Sequence, residues 1–446
     1  MVDNVLIQCD YCKAKIRMRF QMGYFDIPFD FPCPECGVHI HGLRKITEEH
    51  SLKLNNAAVV EFDLNEPHYY ADFSVELPHA KTTKFESIEK IVTKGFSPFL
   101  MSSNLYKEDD YIHLIADMQR FLSFRYFFQL KLAPLYDLFF NGRISLTPEH
   151  FLKISPRFEV KNELDAMMAL HQSTILGMSA ILHDNALSEF AEITKKITER
   201  KKLLKVNRFI VALGGHEYFS SASKRLISIY LRWMKDFEKY IPATMLSLGG
   251  VADKLNRDSF GIATTSFEDM KAFYADSYEL ILDFVDVAIG LNNIAVRGDY
   301  NLFPTDSVKG RKKKQVGTFE EYRELIKSAK LDFLMDNEPF SKAIILNRNV
   351  RNAIAHFNYD FDSDSQRIIF SDKHKGRENA VELYLIDLRF LYKGIIIKHN
   401  KTEPTYTKTS LFLCEKRRFF MARTEKGGNI FKLAGPGGLA FFHLIK

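Results

Sequence analysis

Four of the five cysteines lie in the first 36 residues, and their spacing constrains the fold of this 446-residue chain more than any other feature. Cys9 and Cys12 are separated by two residues, as are Cys33 and Cys36, and a spacer of twenty residues lies between the pairs. Two thiolates separated by two residues can bind one ion from a single tight turn, and two such turns complete a tetrahedron. The spacing therefore predicts a four-thiolate zinc site.

Two disulfides, or a redox-active pair, are the alternatives to zinc. Stable disulfides are rare in reducing compartments, and the N-terminus lacks the basic and apolar regions of an export signal. No window offers the long uncharged run that a membrane helix requires. We therefore expect a cytoplasmic protein without a membrane partner. Its zinc would be structural, because four protein ligands leave no open position on the metal. Cys414 stands alone and is expected to be a buried apolar residue.

Short stretches around the cysteines alternate between polar and apolar residues, as strands do. Together with the two cysteine pairs they resemble a zinc ribbon over residues 1–45. The resemblance implies that zinc holds together a module too small to have a core of its own.

The rest of the chain is predicted to be mainly α-helical, because its apolar periodicity becomes helical near residue 86. The last of four predicted C-terminal helices covers 380–398, and a capping box at Thr318 and Glu321 begins the second. We expect a mainly α, multidomain chain: zinc ribbon, 1–45; β hairpin or linker, 46–85; helical middle domain, 86–264; helical domain, 265–400; short β-rich tail, 401–446.

The segment 343–357 (AIILNRNVRNAIAHF) is predicted to form a helix with two distinct faces. The apolar stripe, expected to face a core, comprises Leu346, Val350, Ala353, Ile354 and Phe357. The opposite stripe carries Arg348, Asn352 and His356, and Arg351 lies on the flank.

An ordinary solvated helix face would explain this polar stripe without any function. The composition of the stripe favours a site instead, because Asn and His are poor helix formers. The two arginines have no carboxylate in the helix, and Arg binds phosphate oxygens through two parallel hydrogen bonds.

Arg351, Asn352 and His356 match the R-x4-H signature, with a polar residue after the Arg, of the HEPN ribonucleases. The resemblance implies a C-terminal HEPN-like four-helix bundle over about residues 265–400. It also implies metal-independent RNA cleavage, in which the substrate's 2′-hydroxyl attacks the adjacent phosphate. By this resemblance, His356 acts as general acid or base, Arg351 stabilises the transition state, and Asn352 orients the His356 ring. No cofactor is expected for catalysis.

Arg351 and His356 are about 140° apart on the helical wheel, so one helix does not point both at the same phosphate. HEPN motifs usually face each other across a two-fold axis, and the resemblance therefore implies a homodimer or a higher homo-oligomer. Arg348 is a second candidate ligand for the phosphate. Lys312, Lys313 and Lys314 are candidates for binding the phosphates of the RNA backbone. The alternative is that these lysines belong to a solvated loop without a binding role. The net charge of +6 only permits a nucleic-acid partner.

These observations predict an endoribonuclease, either a toxin or an abortive-infection nuclease of bacterial antiviral defence. The defence role is implied by the resemblance alone, with the middle domain either sensing a protein or nucleic-acid trigger or restraining the nuclease. One alternative is a non-enzymatic zinc-ribbon protein that binds nucleic acid or protein beside an inactive helical scaffold. Another is a different enzyme in the middle region, where the sequence shows no Walker loop and no paired HxxxH metal site.

Overall fold

The computed structural model describes residues 2–46, 51–61, 66–84, 122–178, 201–242, 255–304, 316–334, 347–374, 377–387, 420–423 and 429–432, with a few further residues between 112 and 199. The strands are β1 (Val2–Cys9), β2 (Lys15–Gln21), β3 (Ile27–Pro32), β4 (His39–Arg44), β5 (Leu52–Asn55), β6 (Ala57–Val59), β7 (Tyr69–Phe73), β8 (His79–Ala80), β9 (Thr83–Lys84), β10 (Phe260–Gly261), β11 (Tyr359–Asp362), β12 (Arg367–His374), β13 (Arg377–Tyr384), β14 (Phe420–Arg423) and β15 (Asn429–Lys432). The α-helices in these ranges are α1 (Ala133–Phe140), α2 (Pro148–Ile154), α3 (Glu163–Met178), α4 (Leu203–Leu213), α5 (Gly215–Lys235), α6 (Phe267–Asn292), α7 (Phe319–Arg323), α8 (Lys327–Lys330) and α9 (Arg348–Ala355).

The chain forms two compact units, each assembled from separate segments of the sequence. The first unit comprises Met1–Ala116, Lys235–Asp276 and Asn347–Tyr392, and its described part consists mostly of strands. The second unit comprises Asp117–Met234, Ser277–Leu346 and Lys393–Lys446, and its described part is mostly helical.

Two sheets organise the N-terminal part of the first unit. Strands β6, β1, β2, β7 and β9 form one sheet in that order, and β3, β4 and β5 form the other. Within the larger sheet β1 and β2 are an antiparallel hairpin, whereas β7 joins β2 in parallel. Within the predicted β hairpin or linker of residues 46–85, β6 and β7 do not pair with each other, because they lie on opposite sides of this β1–β2 hairpin, and β7 pairs with β9 in antiparallel fashion.

The N-terminal sheets share a core of phenylalanine rings, contrary to the expectation of a module without one. Phe73 of β7 lies at the centre, with its ring centroid 5.1 Å from that of Phe20, 5.5 Å from Phe29 and 5.2 Å from Phe31. All four rings are at most 3% exposed. Since truncating a buried Phe to Ala typically costs about 3–5 kcal/mol, Phe73 makes β7 an important contributor to the stability of this module.

In the second unit, ion pairs link α6 to other helices of that unit. Asp283 of α6 pairs with Arg225 of α5 and with Lys327 of α8, the latter at 2.8 Å. One turn further on, Asp286 accepts from Lys330 at 2.9 Å. Helix α7 begins at the predicted capping box, because the backbone N–H of Glu321 donates to Thr318 Oγ1 at 3.2 Å.

The prediction of a mainly α chain with a C-terminal four-helix bundle is wrong. Helix α6 is long, but α7, α8 and α9 have five, four and eight residues. Residues 377–384, at the edge of the predicted fourth helix, form strand β13. The stretch alternates apolar and polar residues there, and cross-strand pairs such as Ile368 with Leu383 and Arg367 with Glu382 favour the sheet. Residues 388–398 of that predicted helix lie outside the described ranges.

Two further observations complete the architecture. In the predicted β-rich tail, β14 and β15 pair in antiparallel fashion.

None of the helices in the described ranges combines the length and the apolar character that crossing a bilayer requires.

One buried histidine, His79, predicts an acid-sensitive contribution to the stability of the first unit. Burial lowers the pKa of His79, which is 4% exposed and donates from Nδ1 to the Ala80 carbonyl at 3.1 Å. The unfolded chain takes up a proton at this residue near pH 6.5 and the folded chain does not, so stability is present above that pH and lost below it. The loss amounts to at most about 1.4 kcal/mol per pH unit.

We expect His79→Asn, which keeps a donor for Ala80, to show a smaller loss of stability between about pH 7.5 and about pH 5.5 than the parent. The measurement is urea unfolding read by hydrogen exchange of residues 69–84, corrected for intrinsic exchange rates. His216→Asn, at an exposed histidine of the second unit, is the control. An unchanged loss in His79→Asn would refute this role for His79.

Candidate metal centre and motif helix

The four cysteine sulfurs form one compact cluster. Cys9 Sγ lies 3.8 Å from Cys36 Sγ, and Cys12 Sγ lies 3.4 Å from Cys33 Sγ. All four sulfurs are within 4.8 Å of one another. Zn–S bonds of about 2.3 Å place tetrahedral sulfurs about 3.8 Å apart, so the cluster has the size of one metal coordination shell. None of these four thiols is in a disulfide.

Matching hydrogen bonds shape the two turns that present the cysteines. The backbone N–H of Cys9 donates to Ala14, and that of Lys13 donates back to the Cys9 carbonyl. The second turn repeats this pattern, with Cys33 donating to Val38 and Gly37 donating to Cys33. Each turn follows directly on a strand, so the hairpins β1–β2 and β3–β4 each supply one pair of ligands.

The environment of the sulfurs differs within each pair. Cys9 and Cys33 are buried, whereas Cys12 and Cys36 are exposed. Burial raises the pKa of Cys33 to about 12, and the backbone N–H of Val38 lowers the pKa of Cys36. A bound cation reverses the penalty on a buried thiolate, because it supplies the compensating charge.

The histidines that follow the second cysteine pair lie outside the sulfur cluster. His39 and His41 are exposed residues of β4, and His39 Nδ1 lies 2.6 Å from Asp30 Oδ1. Among the described residues, the four cysteines are the group whose ligand atoms are close enough to share a metal ion.

Helix α9, which we call the motif helix, carries the predicted catalytic residues in the first unit. Asn347 caps its N-terminus, and its Oδ1 accepts from the backbone N–H groups of Asn349 and Val350. The hydroxyl of Tyr274 in α6 donates to the Asn347 carbonyl at 3.1 Å. The helix packs against β12 and buries Val350, Ala353 and Ile354, as the apolar stripe predicts.

The polar residues of the motif are only partly brought together. Arg348, Arg351 and Asn352 are half-buried, and His356 is exposed at the C-cap position, one residue beyond the last helical residue. The chain then turns directly into β11, so the motif occupies the helix and its C-cap, immediately before a β-strand. Lys312, Lys313 and Lys314 lie outside the described ranges.

A small cavity in the second unit escaped the sequence analysis. It has a volume of about 50 Å³ and is lined by residues of α1, α3 and α5, including Tyr136, His171 and Ser220. No local motif marks it, because its wall is assembled from three separate helices. The cavity is smaller than an engineered apolar cavity of roughly 150 Å³ that binds benzene.

Comparison with known proteins adds no identification: no protein-family model, no curated protein and no solved structure matches the chain.

The positive φ angle of Lys13 predicts a stabilising substitution in the first cysteine turn. Lys13 has φ 64° where the second turn has Gly37 with φ 73°. This left-handed conformation costs an ordinary residue about 1–2 kcal/mol. We expect Lys13→Gly to raise the free energy of unfolding of the metal-loaded protein by about 1 kcal/mol, measured by denaturant titration. Gly37→Ala is the matched control and should lower it. A destabilised Lys13→Gly would show that the lysine side chain, which donates to the Asp10 carbonyl, outweighs the strain.

Proposed function

We propose that Cys9, Cys12, Cys33 and Cys36 bind one structural zinc ion. The observation that supports this proposal is the approach of all four sulfurs to within 4.8 Å across two hairpins of different sheets. A tetrahedral four-sulfur site suits zinc or iron, and zinc is the metal that such two-residue spacings most often hold. Four thiolates close the coordination shell, so the metal has no open position for catalysis.

Zinc content tests this proposal directly. We expect about one zinc per chain by inductively coupled plasma mass spectrometry, and well below one in Cys33→Ser. Loss of zinc should also unfold the N-terminal sheets, visible as faster hydrogen exchange in residues 2–46. Cys414→Ser is the matched control and should retain the metal. Stoichiometric iron, or full zinc in Cys33→Ser, would overturn the proposal.

We further propose that the motif helix catalyses metal-independent RNA cleavage. The observation that favours it is the exposure of His356 at the end of a helix whose other motif residues, Arg351 and Asn352, are held by a capped and packed backbone. The R-x4-H signature supports the reaction type, but the described residues do not form the four-helix bundle that the resemblance implied, so the motif alone carries the resemblance.

The proposed chemistry assigns each motif residue a separate task. His356 transfers a proton to or from the ribose hydroxyl or the leaving oxygen, a task for which the imidazole side chain is suited near neutral pH. Arg351 stabilises the charge that develops on the phosphate, and Asn352 orients the imidazole. Arg348 is the second candidate for the phosphate. The products are a cyclic phosphate and a free 5′-hydroxyl.

A chelator-resistant cleavage assay tests this reaction. We expect the parent to cut single-stranded RNA in EDTA to products with cyclic phosphate ends, and His356→Ala to be slower by about 10²–10⁴-fold. His216→Ala, at an exposed histidine of the second unit, should cleave at the parental rate. Equal cleavage by the parent and His356→Ala would sink the role of His356. Binding without any cleavage would favour the alternative, a non-enzymatic binding protein.

Mixing two inactive variants tests whether a second copy completes the site. Arg351 and His356 are about 140° apart around the helix axis, so we expect a site built from Arg351 of one copy and His356 of another. A mixture of Arg351→Ala and His356→Ala should then regain about a quarter of parental activity, because half the dimers are mixed and each has one intact site. No recovery, in a mixture shown to exchange subunits, would assign both residues to one copy.

A further inference from the structure

Phe357 combines two unfavourable features at one position, directly after His356. Its side chain is 79% exposed, although the sequence pattern assigns it to the buried stripe of the motif helix. Its φ angle is 56°, in the left-handed region that aromatic residues rarely adopt. The helix ends at Ala355, and the chain reverses before the stripe reaches Phe357, so the ring turns away from the core.

The backbone around Phe357 forms a helix stop that normally uses glycine. The N–H of Phe357 donates to the Ile354 carbonyl at 3.3 Å, and the N–H of Asn358 donates to Ala353 at 2.8 Å. This pair of bonds is the Schellman motif, whose left-handed residue is usually Gly and sometimes Asn. Phe at that position costs about 1–2 kcal/mol of backbone strain. Fold stability alone therefore does not account for the phenylalanine.

The same bonds make the position of the ring well defined. The Asn358 carbonyl accepts from the backbone N–H of Ser371 in β12 at 2.9 Å, so the turn is fastened to the helix on one side and to the sheet on the other. An exposed ring on a fixed backbone is a preorganised stacking platform, since little entropy is lost when a flat partner binds.

The charge of the motif helix indicates which flat partner fits. The helix carries Arg348 and Arg351 and contains no carboxylate, and His356 is the neighbour of Phe357 in the chain. Proteins that bind single-stranded RNA combine cationic side chains for the backbone with aromatic rings on which bases stack. A nucleobase supplies the flat face, and its phosphates supply the negative charge.

We propose that Phe357 stacks on an unpaired base of single-stranded RNA. The base lies next to the phosphate at which His356 transfers a proton during cleavage. This inference rests on the proposed RNA cleavage and names its substrate class: unpaired rather than duplex RNA. Phe357 is a substrate-binding residue, and its cost in backbone strain is offset by the stacking energy of the bound base.

Binding of an uncleavable RNA tests the platform without requiring catalysis. The probe is a short fluorescent single-stranded RNA with 2′-O-methyl groups, measured by fluorescence anisotropy. We expect Phe357→Gly to bind it about 5- to 100-fold more weakly than the parent, and Phe357→Trp to bind it as well as the parent. Phe357→Gly should also unfold at a higher temperature, because the strain is relieved. A variant that gains stability while losing affinity separates ligand binding from a structural role.

Abasic substitution locates the stacked base. Replacing one nucleotide at a time with an abasic one should weaken binding to the parent at one position, and that penalty should vanish in Phe357→Gly. Leu302→Gly removes an exposed apolar side chain in the second unit and should leave binding unchanged. An undiminished affinity of Phe357→Gly for the RNA would overturn the inference.

Two other outcomes have separate meanings. If Phe357→Gly changes the sedimentation of the protein from dimer to monomer without RNA, the ring belongs to an interface between copies and the stacking proposal is refuted. If the parent neither binds nor cleaves any single-stranded RNA, the proposed RNA cleavage fails, and the stacking inference fails with it. Retained cleavage with unchanged affinity in Phe357→Gly refutes the stacking inference alone.

Discussion

The N-terminal half of the first unit depends on the convergence of four thiolates from two different sheets. Cys9 and Cys12 belong to the β1–β2 hairpin, and Cys33 and Cys36 belong to β3–β4. The metal ion that we propose would join these hairpins through the four sulfurs, and the phenylalanine cluster around Phe73 joins their sheets. Without the metal, two buried sulfurs would have no compensating charge. On this proposal, the metal and the aromatic core stabilise the same arrangement of strands.

The sequence predicted those parts of this module that depend on local chemistry. The cysteine spacing predicted which four residues lie together, and period-two alternation predicted strands around them. The sequence did not predict that β7 pairs with β2. This parallel pairing joins residues about fifty positions apart, and no local pattern in β7 indicates which strand it pairs with. The aromatic core follows from that pairing. The expectation of a coreless ribbon was wrong for this reason.

The C-terminal predictions failed where short apolar runs were assigned to helices. Residues 380–384 (AVELY) are compatible with either structure by periodicity, and pairing with β12 decides for the strand. In the motif helix the wheel correctly placed Val350, Ala353 and Ile354 in the core. The helical wheel was wrong at Phe357, because the helix ends two residues earlier, at Ala355. No local pattern indicated this turn, since no glycine stands there. The sequence identified Arg351 and His356 as candidate site residues, but it did not predict that Arg351 is half-buried and His356 exposed.

Metal binding and the proposed RNA chemistry are physically separable. The proposed zinc site is closed and structural, and the proposed cleavage uses only proton transfer and charge, so neither proposal requires the other. The central claim is the four-sulfur metal site, and zinc X-ray absorption of the purified protein tests it most directly. The account predicts a single shell of four sulfurs at about 2.3 Å. A shell that contains nitrogen or oxygen ligands, or fewer than four sulfurs, would contradict it.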